Sequence, residues 1–139
     1  MQVQPYLFFD GRCEEAIRFY EKALGAKVEV LMRNSDSPEP HPPGMLPPGS
    51  ENKVMHATVK IGDSTVFMSD GMCSGAVKFE GFSLSLDFTK DEDVDRYFNI
   101  LVEGGEANMP PGKTFFASRF AMVKDQFGMH WMLIVPAQM

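Results

Sequence analysis

Hydrophobic and polar positions alternate in two rhythms along this chain, and the same succession of rhythms occurs twice. The first segment, QPYLFFDGRCEEAIRFYEKALGAKVEV, opens with a short apolar run at 6–9 and turns at Asp10-Gly11. Cys13, Ala16, Ile17, Tyr20, Ala23 and Leu24 then recur at spacings of three and four. That period predicts a helix whose single apolar stripe lies on a sheet. Gly25 supplies the stop, since glycine takes the left-handed conformation that ends a helix. The second segment is GFSLSLDFTKDEDVDRYFNILVEGGEANM. Here Phe82, Leu84 and Leu86 alternate with Ser83, Ser85 and Asp87, the period of a half-buried strand. Thr89 and Glu92 have the spacing of a capping box, and Asp91 and Asp93 suit the positive end of a helix. Val94, Tyr97, Phe98 and Leu101 form its stripe, and Gly104-Gly105 ends it.

The two segments share a metric as well as an order. Leu7 to Gly25 and Leu86 to Gly104 both span 18 positions, and an aromatic pair, Phe19-Tyr20 or Tyr97-Phe98, precedes each stop. Strands are expected after the first helix at 28–33, 54–61 and 65–70, the last two joined by a tight Gly62-Asp63 turn. After the second they are expected at 106–109, 117–124 and 130–135, with Gln126-Phe127-Gly128 closing the last hairpin. The predicted fold is therefore α+β, two tandem βαβββ modules within one domain of residues 1–139. Module one covers about 3–70 and module two about 82–135. Residues 34–53 hold six of the ten prolines, which rules out a central strand or a helix interior there. A lid over a ligand and a plain surface loop are both open readings of that stretch.

A doubled βαβββ module resembles the vicinal-oxygen-chelate superfamily of glyoxalases, bleomycin- and fosfomycin-resistance proteins and extradiol dioxygenases. PYLFFDGRCEEAIRFYEKALGA, MHATVKIGDSTVFMSDG and VKDQFGMHWMLIV are similar, in this order, to the opening, middle and closing stretches of its PhnB-like subfamily. The resemblance implies curved mixed sheets around a cleft, a homodimer and a small-molecule ligand, but no particular reaction. Proteins of this kind often carry the label demethylubiquinone methyltransferase. No glycine-rich loop between a strand and a helix is present to cradle a methyl-donor cofactor, which argues against that chemistry. The superfamily's three metal-ligand positions map onto about Pro5, Ser83 and Met132, and a two-residue slip gives Val3, Ser85 and Ile134. None of these is a usual ligand of a divalent ion, so no metal residues are assigned and a divalent cofactor is disfavoured.

Composition narrows the partners. Net charge is −6 with no lysine or arginine cluster, which argues against nucleic acid. No apolar run approaches a membrane span, and the N-terminus has no basic start followed by a long apolar stretch, so a cytoplasmic location is expected. Cys13 and Cys73 form no pair motif and are expected as reduced thiols.

His56 is the leading candidate for chemistry. In MHATVKI, Met55, Ala57, Val59 and Ile61 alternate with His56, Thr58 and Lys60, so His56 and Thr58 are expected on the face turned away from the helix. A neutral imidazole there serves as base, hydrogen-bond partner or metal ligand; a structural hydrogen bond or dimer contact is the competing reading. His130 and Met132 share a face of the last strand, although a histidine at a hairpin end commonly just meets solvent. His41 matters only if the proline-rich loop closes. Met68, Asp70, Ser83 and Ser85 complete the expected ligand-binding set. A carboxylate closing a turn is the alternative for Asp70. Arg33 is placed either against an anionic ligand or in solvent. Cys13, in the first turn of a helix, is read as packing rather than as an activated thiol.

Eleven methionines, with Phe8, Phe9, Phe67, Phe115, Phe116 and Trp131, suffice for an adaptable apolar pocket, though most will be core. Two functions follow. One is a small-molecule-binding protein like the drug-sequestering resistance members. The other is a metal-dependent or His56-based lyase, isomerase or dioxygenase acting on a vicinal-oxygen substrate.

Overall fold

A computed structural model describes residues 1–39, 44–73 and 77–138. The chain divides into two compact units, Met1–Val77 and Lys78–Met139. Among the described residues each carries one sheet of four strands and one α-helix. In the first unit β1 (Tyr6–Phe8) leads into α1 (Cys13–Leu24), followed by β2 (Lys27–Arg33), β3 (Val54–Ile61) and β4 (Ser64–Ser69). In the second, β5 (Leu84–Asp87) leads into α2 (Asp91–Leu101), followed by β6 (Glu106–Gly112), β7 (Ala117–Lys124) and β8 (His130–Pro136). The sheet orders are β1-β4-β3-β2 and β5-β8-β7-β6, the same topology twice. In each sheet the first strand pairs parallel to the last and the other pairs are antiparallel. The expected α+β class and the doubled βαβββ order hold, and neither sheet closes into a barrel.

Helix α1 forms where the three-four period placed it. Cys13, Ala16, Ile17, Tyr20 and Ala23 are its buried residues, and it packs across β3. Gly25 ends it at φ 66°, with the Gly25 and Ala26 N–H groups returning to the carbonyls of Glu21 and Tyr20. The left-handed glycine turns the chain so that both N–H groups satisfy carbonyls of the last helical turns. Leu7, Phe9, Ala57, Val59, Val66 and Met68 come up from the sheet to meet the stripe. Each is nearly or fully buried, and truncating one to alanine costs about 2–5 kcal/mol where the side chain is large.

The second unit repeats the plan with Val94, Phe98 and Leu101 on α2 against Ala121, Val123, Trp131 and Leu133. The expected Thr89–Glu92 capping box does not form. The helix begins at Asp91 with Lys90 at the N-cap in extended conformation and no side-chain cap, so the pair is one residue out of frame. Its acidic first turn (Asp91, Glu92, Asp93) interacts favourably with the dipole instead. Tyr97 does not join the buried stripe; it stacks on Phe88, ring centroids 5.1 Å apart, under the Arg96 guanidinium.

Each unit is fastened internally by a buried aspartate. Asp70 accepts the N–H groups of Gly11 (2.7 Å) and Cys13 (2.8 Å) on one oxygen and that of Val54 (2.8 Å) on the other. It thereby ties the β1–α1 turn, the start of β3 and the end of β4 together. Asp125 accepts from Phe127 and Met129 N–H and from the Trp131 indole (2.8 Å), fixing the β7–β8 turn.

Candidate functional site

One face of each sheet is covered by its helix; the other is open, and strand parity decides which side chains reach it. In the first unit Leu7, Ala57, Val59, Val66 and Met68 take the helix face. The register Tyr6↔Phe67↔Thr58↔Val30 then forms one row across the open face, with Phe8, His56 and Met32 in the next. The β2 bulge between Val28 and Val30 keeps Val30 and Met32 on that side.

His56 is the centre of this face. Its Nδ1 lies 3.1 Å from the Tyr6 hydroxyl and its Nε2 3.3 Å from Thr58 Oγ1. Either hydroxyl can donate or accept, so the pair accommodates both neutral tautomers and the imidazolium. Around it the rings form a continuous platform. Tyr6 and Phe8 centroids are 4.8 Å apart, Tyr6 and His56 5.7 Å, His56 and Phe67 5.6 Å, and Tyr6 and Phe67 5.9 Å. Tyr6 and Phe8 are 39% and 51% exposed, so the platform faces outward rather than into a core.

The structure sorts the expected residues. His56 and Thr58 come together as anticipated. Met68 does not reach the open face: it is fully buried against the helix, and the register pairs it with Ala57. Phe67, one position earlier, holds the outward place, a slip of one residue that reverses the face of a strand side chain. Asp70 is likewise withdrawn, buried with both oxygens taken by backbone donors, so the turn-closing reading holds and the ligand-orienting one does not. In the second unit Ser85 stands opposite Met132 on the open face, and His130, opposite Lys124, shares it. Ser83 precedes β5, half-buried. Arg33 reaches no open face; it forks onto Glu14 (2.8 and 2.9 Å) and donates to the Asn52 carbonyl, which closes the neck of the proline-rich loop. The Arg33 hydrogen bonds, more than its charge, lower the Glu14 carboxyl pKa. His41 lies outside the described residues.

Cys13 is inert. Burial pushes its thiol pKa far up, and the neighbouring Asp70 carboxylate pushes it further, overriding any help from the helix dipole. A pocket of about 410 Å³ sits in the loop neck, lined by Asn34, Ser35, Leu46, Pro47, Ser50 and Glu51 among others, away from His56. Among the described residues its lining holds no histidine or thiol, so the platform is the better candidate. Tyr6 is the member that sequence reasoning missed. Counting parity back from a buried Leu7 finds it.

Residues 1–134 match the family described as 3-demethylubiquinone-9 3-methyltransferase. The chain belongs to this family. It is 38% identical to Protein YjdN of Escherichia coli over 99% of this chain and 97% of that one. Protein PA1353 of Pseudomonas aeruginosa superposes with a TM-score of 0.84 at 35% identity, covering 99% of both chains. The PhnB protein of Bacillus cereus does so at 0.79 and 25%, covering 97% of this chain and 99% of that one. The fold alone extends to a glyoxalase-related enzyme of Fulvimarina pelagi, TM-score 0.64 at 15% identity, covering 97% and 88%. The PhnB-like resemblance and the glyoxalase-type fold expected from the sequence are thereby established.

The family description names a methyltransferase, and the residues do not fit a methyl-donor cofactor. The β1–α1 turn is short, and the N–H groups of Gly11 and Cys13 that face its helix start are already held by Asp70. At the β5–α2 turn the helix opens with three acidic residues. The metal positions fit no better: among the described residues no group of three His, Cys, Asp or Glu side chains is placed to hold an ion. Nor, among them, is any helix long and apolar enough to cross a membrane.

Proposed function

We propose that this protein binds a flat, largely apolar small molecule on the open face of its first sheet, with His56 and Tyr6 as the polar handle. The ring platform of Tyr6, Phe8, Phe67 and His56, exposed at Tyr6 and Phe8 and half-buried at Phe67 and His56, carries the reading. A contiguous exposed aromatic patch costs solubility unless something covers it, and flat rings suit offset stacking. Most of the affinity would come from ring burial, at about 25 cal/mol per Å². One hydrogen bond to the His56–Tyr6 pair would orient the ligand for about 1 kcal/mol. In this reading the chain acts in the cytoplasm as a homodimer, a state that sedimentation velocity at micromolar concentration checks.

The dye 1-anilinonaphthalene-8-sulfonate is a suitable probe. Dye fluorescence should saturate at about one equivalent, Phe67→Ala should weaken it about tenfold or more, and Tyr6→Phe about fivefold. Dye binding that is absent, or unmoved by both substitutions, sinks the proposal.

One observation favours an enzyme as the second reading. The 3.1 Å contact of the Tyr6 hydroxyl with His56 Nδ1 is a phenol–imidazole pair able to pass a proton to or from a bound substrate. It would serve a His56-based lyase or isomerase of vicinal-oxygen substrates. Turnover of such a substrate that vanishes in His56→Ala, with dye binding kept, would move the assignment from binder to enzyme.

A further inference from the structure

The second unit carries a feature that the aromatic platform does not account for. Met109 on β6 stands opposite Met122 on β7, and Met122 stands opposite Met132 on β8. Three thioethers therefore lie in one row across three adjacent strands, and Ser85 on β5 completes the row. Directly opposed residues have Cβ atoms about 4.5–5.5 Å apart, and they project to the same face. Each methionine adds a flexible arm that ends in a polarizable sulfur, so three sulfurs can converge above Met122. The row is accessible: Met109 is 43% exposed, and Met122 and Met132 are half-buried. No charged side chain stands in it. The next row on one side holds His130, Lys124 and Glu106, and on the other Asp87, Ile134, Phe120 and Gly112.

We propose that Met109, Met122 and Met132 form a binding site for a soft monovalent cation of the Cu(I) or Ag(I) type. Thioether ligands select soft d¹⁰ ions, while hard divalent ions require oxygen donors and carry hydration that neutral sulfur does not replace. Apolar neighbours such as Phe120 and Ile134 would further favour a weakly hydrated ion. A purely apolar surface needs no three-in-register coincidence of one residue type. It would be served equally by leucine, and that equivalence is what the test exploits.

The whole chain carrying Cys73→Ser, which removes the part-exposed thiol as a competitor, is titrated with Ag(I) in chloride-free buffer. Calorimetry and the methionine methyl resonances follow the binding. One Ag(I) per chain is expected, with the three methyl signals moving together. Met122→Leu keeps volume and hydrophobicity and should weaken binding about tenfold or more. Met72→Leu, at an exposed methionine in the other unit, should leave it unchanged. Met132→Leu repeats the measurement should Met122→Leu lower the melting temperature. No saturable binding, or binding that neither leucine variant weakens, overturns the site. Dye binding to the first unit is read separately, so the two proposals fail independently.

Discussion

The two sheets have one topology and two different open faces. If Leu7 and Leu86 are taken as equivalent, their registers make Tyr6 correspond to Ser85, Phe8 to Asp87 and Phe67 to Met132. The β3–β4 and β7–β8 pairings make Thr58 correspond to Met122 and His56 to Phe120. On the helix side the correspondence is conservative: Met68 matches Leu133, and Leu7 matches Leu86. The covered face must fill a space against a helix, so its residues stay apolar and well packed. The open face has no such constraint. One unit has become a ring platform with a histidine handle, the other a row of sulfurs. Shared topology therefore says where a site can be, and open-face residues say what it can take.

The comparison breaks hardest at the buried aspartates. Asp70→Ala leaves three backbone donors without that acceptor in two segments far apart in sequence, and Asp125→Ala removes the acceptor of two backbone donors and one indole within one hairpin. Each should cost about 3–5 kcal/mol in urea unfolding, with Asp70 the larger because its partners are far apart in sequence. An Asp70→Ala loss below about 1 kcal/mol would overturn its role as the fastener of the first unit.

Strand parity gives the next effect. Met68→Ala should destabilise by about 2–5 kcal/mol with dye affinity little changed, while Phe67→Ala should cost about 1 kcal/mol or less and weaken dye binding about tenfold or more. The reverse pattern would put the platform on the wrong face.

The glycine stops provide a smaller contrast. Ala26 follows Gly25 and is buried without strain, but its counterpart Gly105 could not carry a Cβ, which would collide with the Lys124 carbonyl oxygen. Gly105→Ala should cost about 1–3 kcal/mol, and Ala26→Gly about 1 kcal/mol or less, by thermal melting.

The smallest effect is electrostatic. Arg33 lowers the Glu14 pKa in the fold, so the pair's stabilisation is complete above the unfolded value of about 4.3 and is lost as pH falls through the lower folded value. The stability difference between the parent and Glu14→Gln should therefore shrink below about pH 4.3 and stay flat above pH 6. A difference that persists undiminished at pH 3 would assign it to packing.

Much of this is legible in the amino-acid sequence. Residues 54–61 and 117–124 are strands over the spans expected, and for 54–61 the alternation of MHATVKI and the turn at Gly62-Asp63 are the reason. The α1 stripe and its Gly25 stop were equally plain. The Thr89–Glu92 box misled, since a spacing does not reveal the frame in which a helix begins. The site was only half legible. His56 and Thr58 follow from the alternation of MHATVKI. Tyr6 does not, because a three-residue strand gives too few alternations to fix parity, and the face that Met68 takes depends on its register with β3.

The sequence by itself determined the order of elements, the doubling and the apolar stripes, because these depend on local periodicity that neighbouring residues enforce. Only the tertiary structure decided which side chains meet. The Tyr6–His56 contact joins residues fifty positions apart. Asp70 reaches back 59 positions to Gly11, and three methionines line up across three strands. Such juxtapositions depend on pairing register between distant strands, and register is set by how whole faces pack, which no local pattern records.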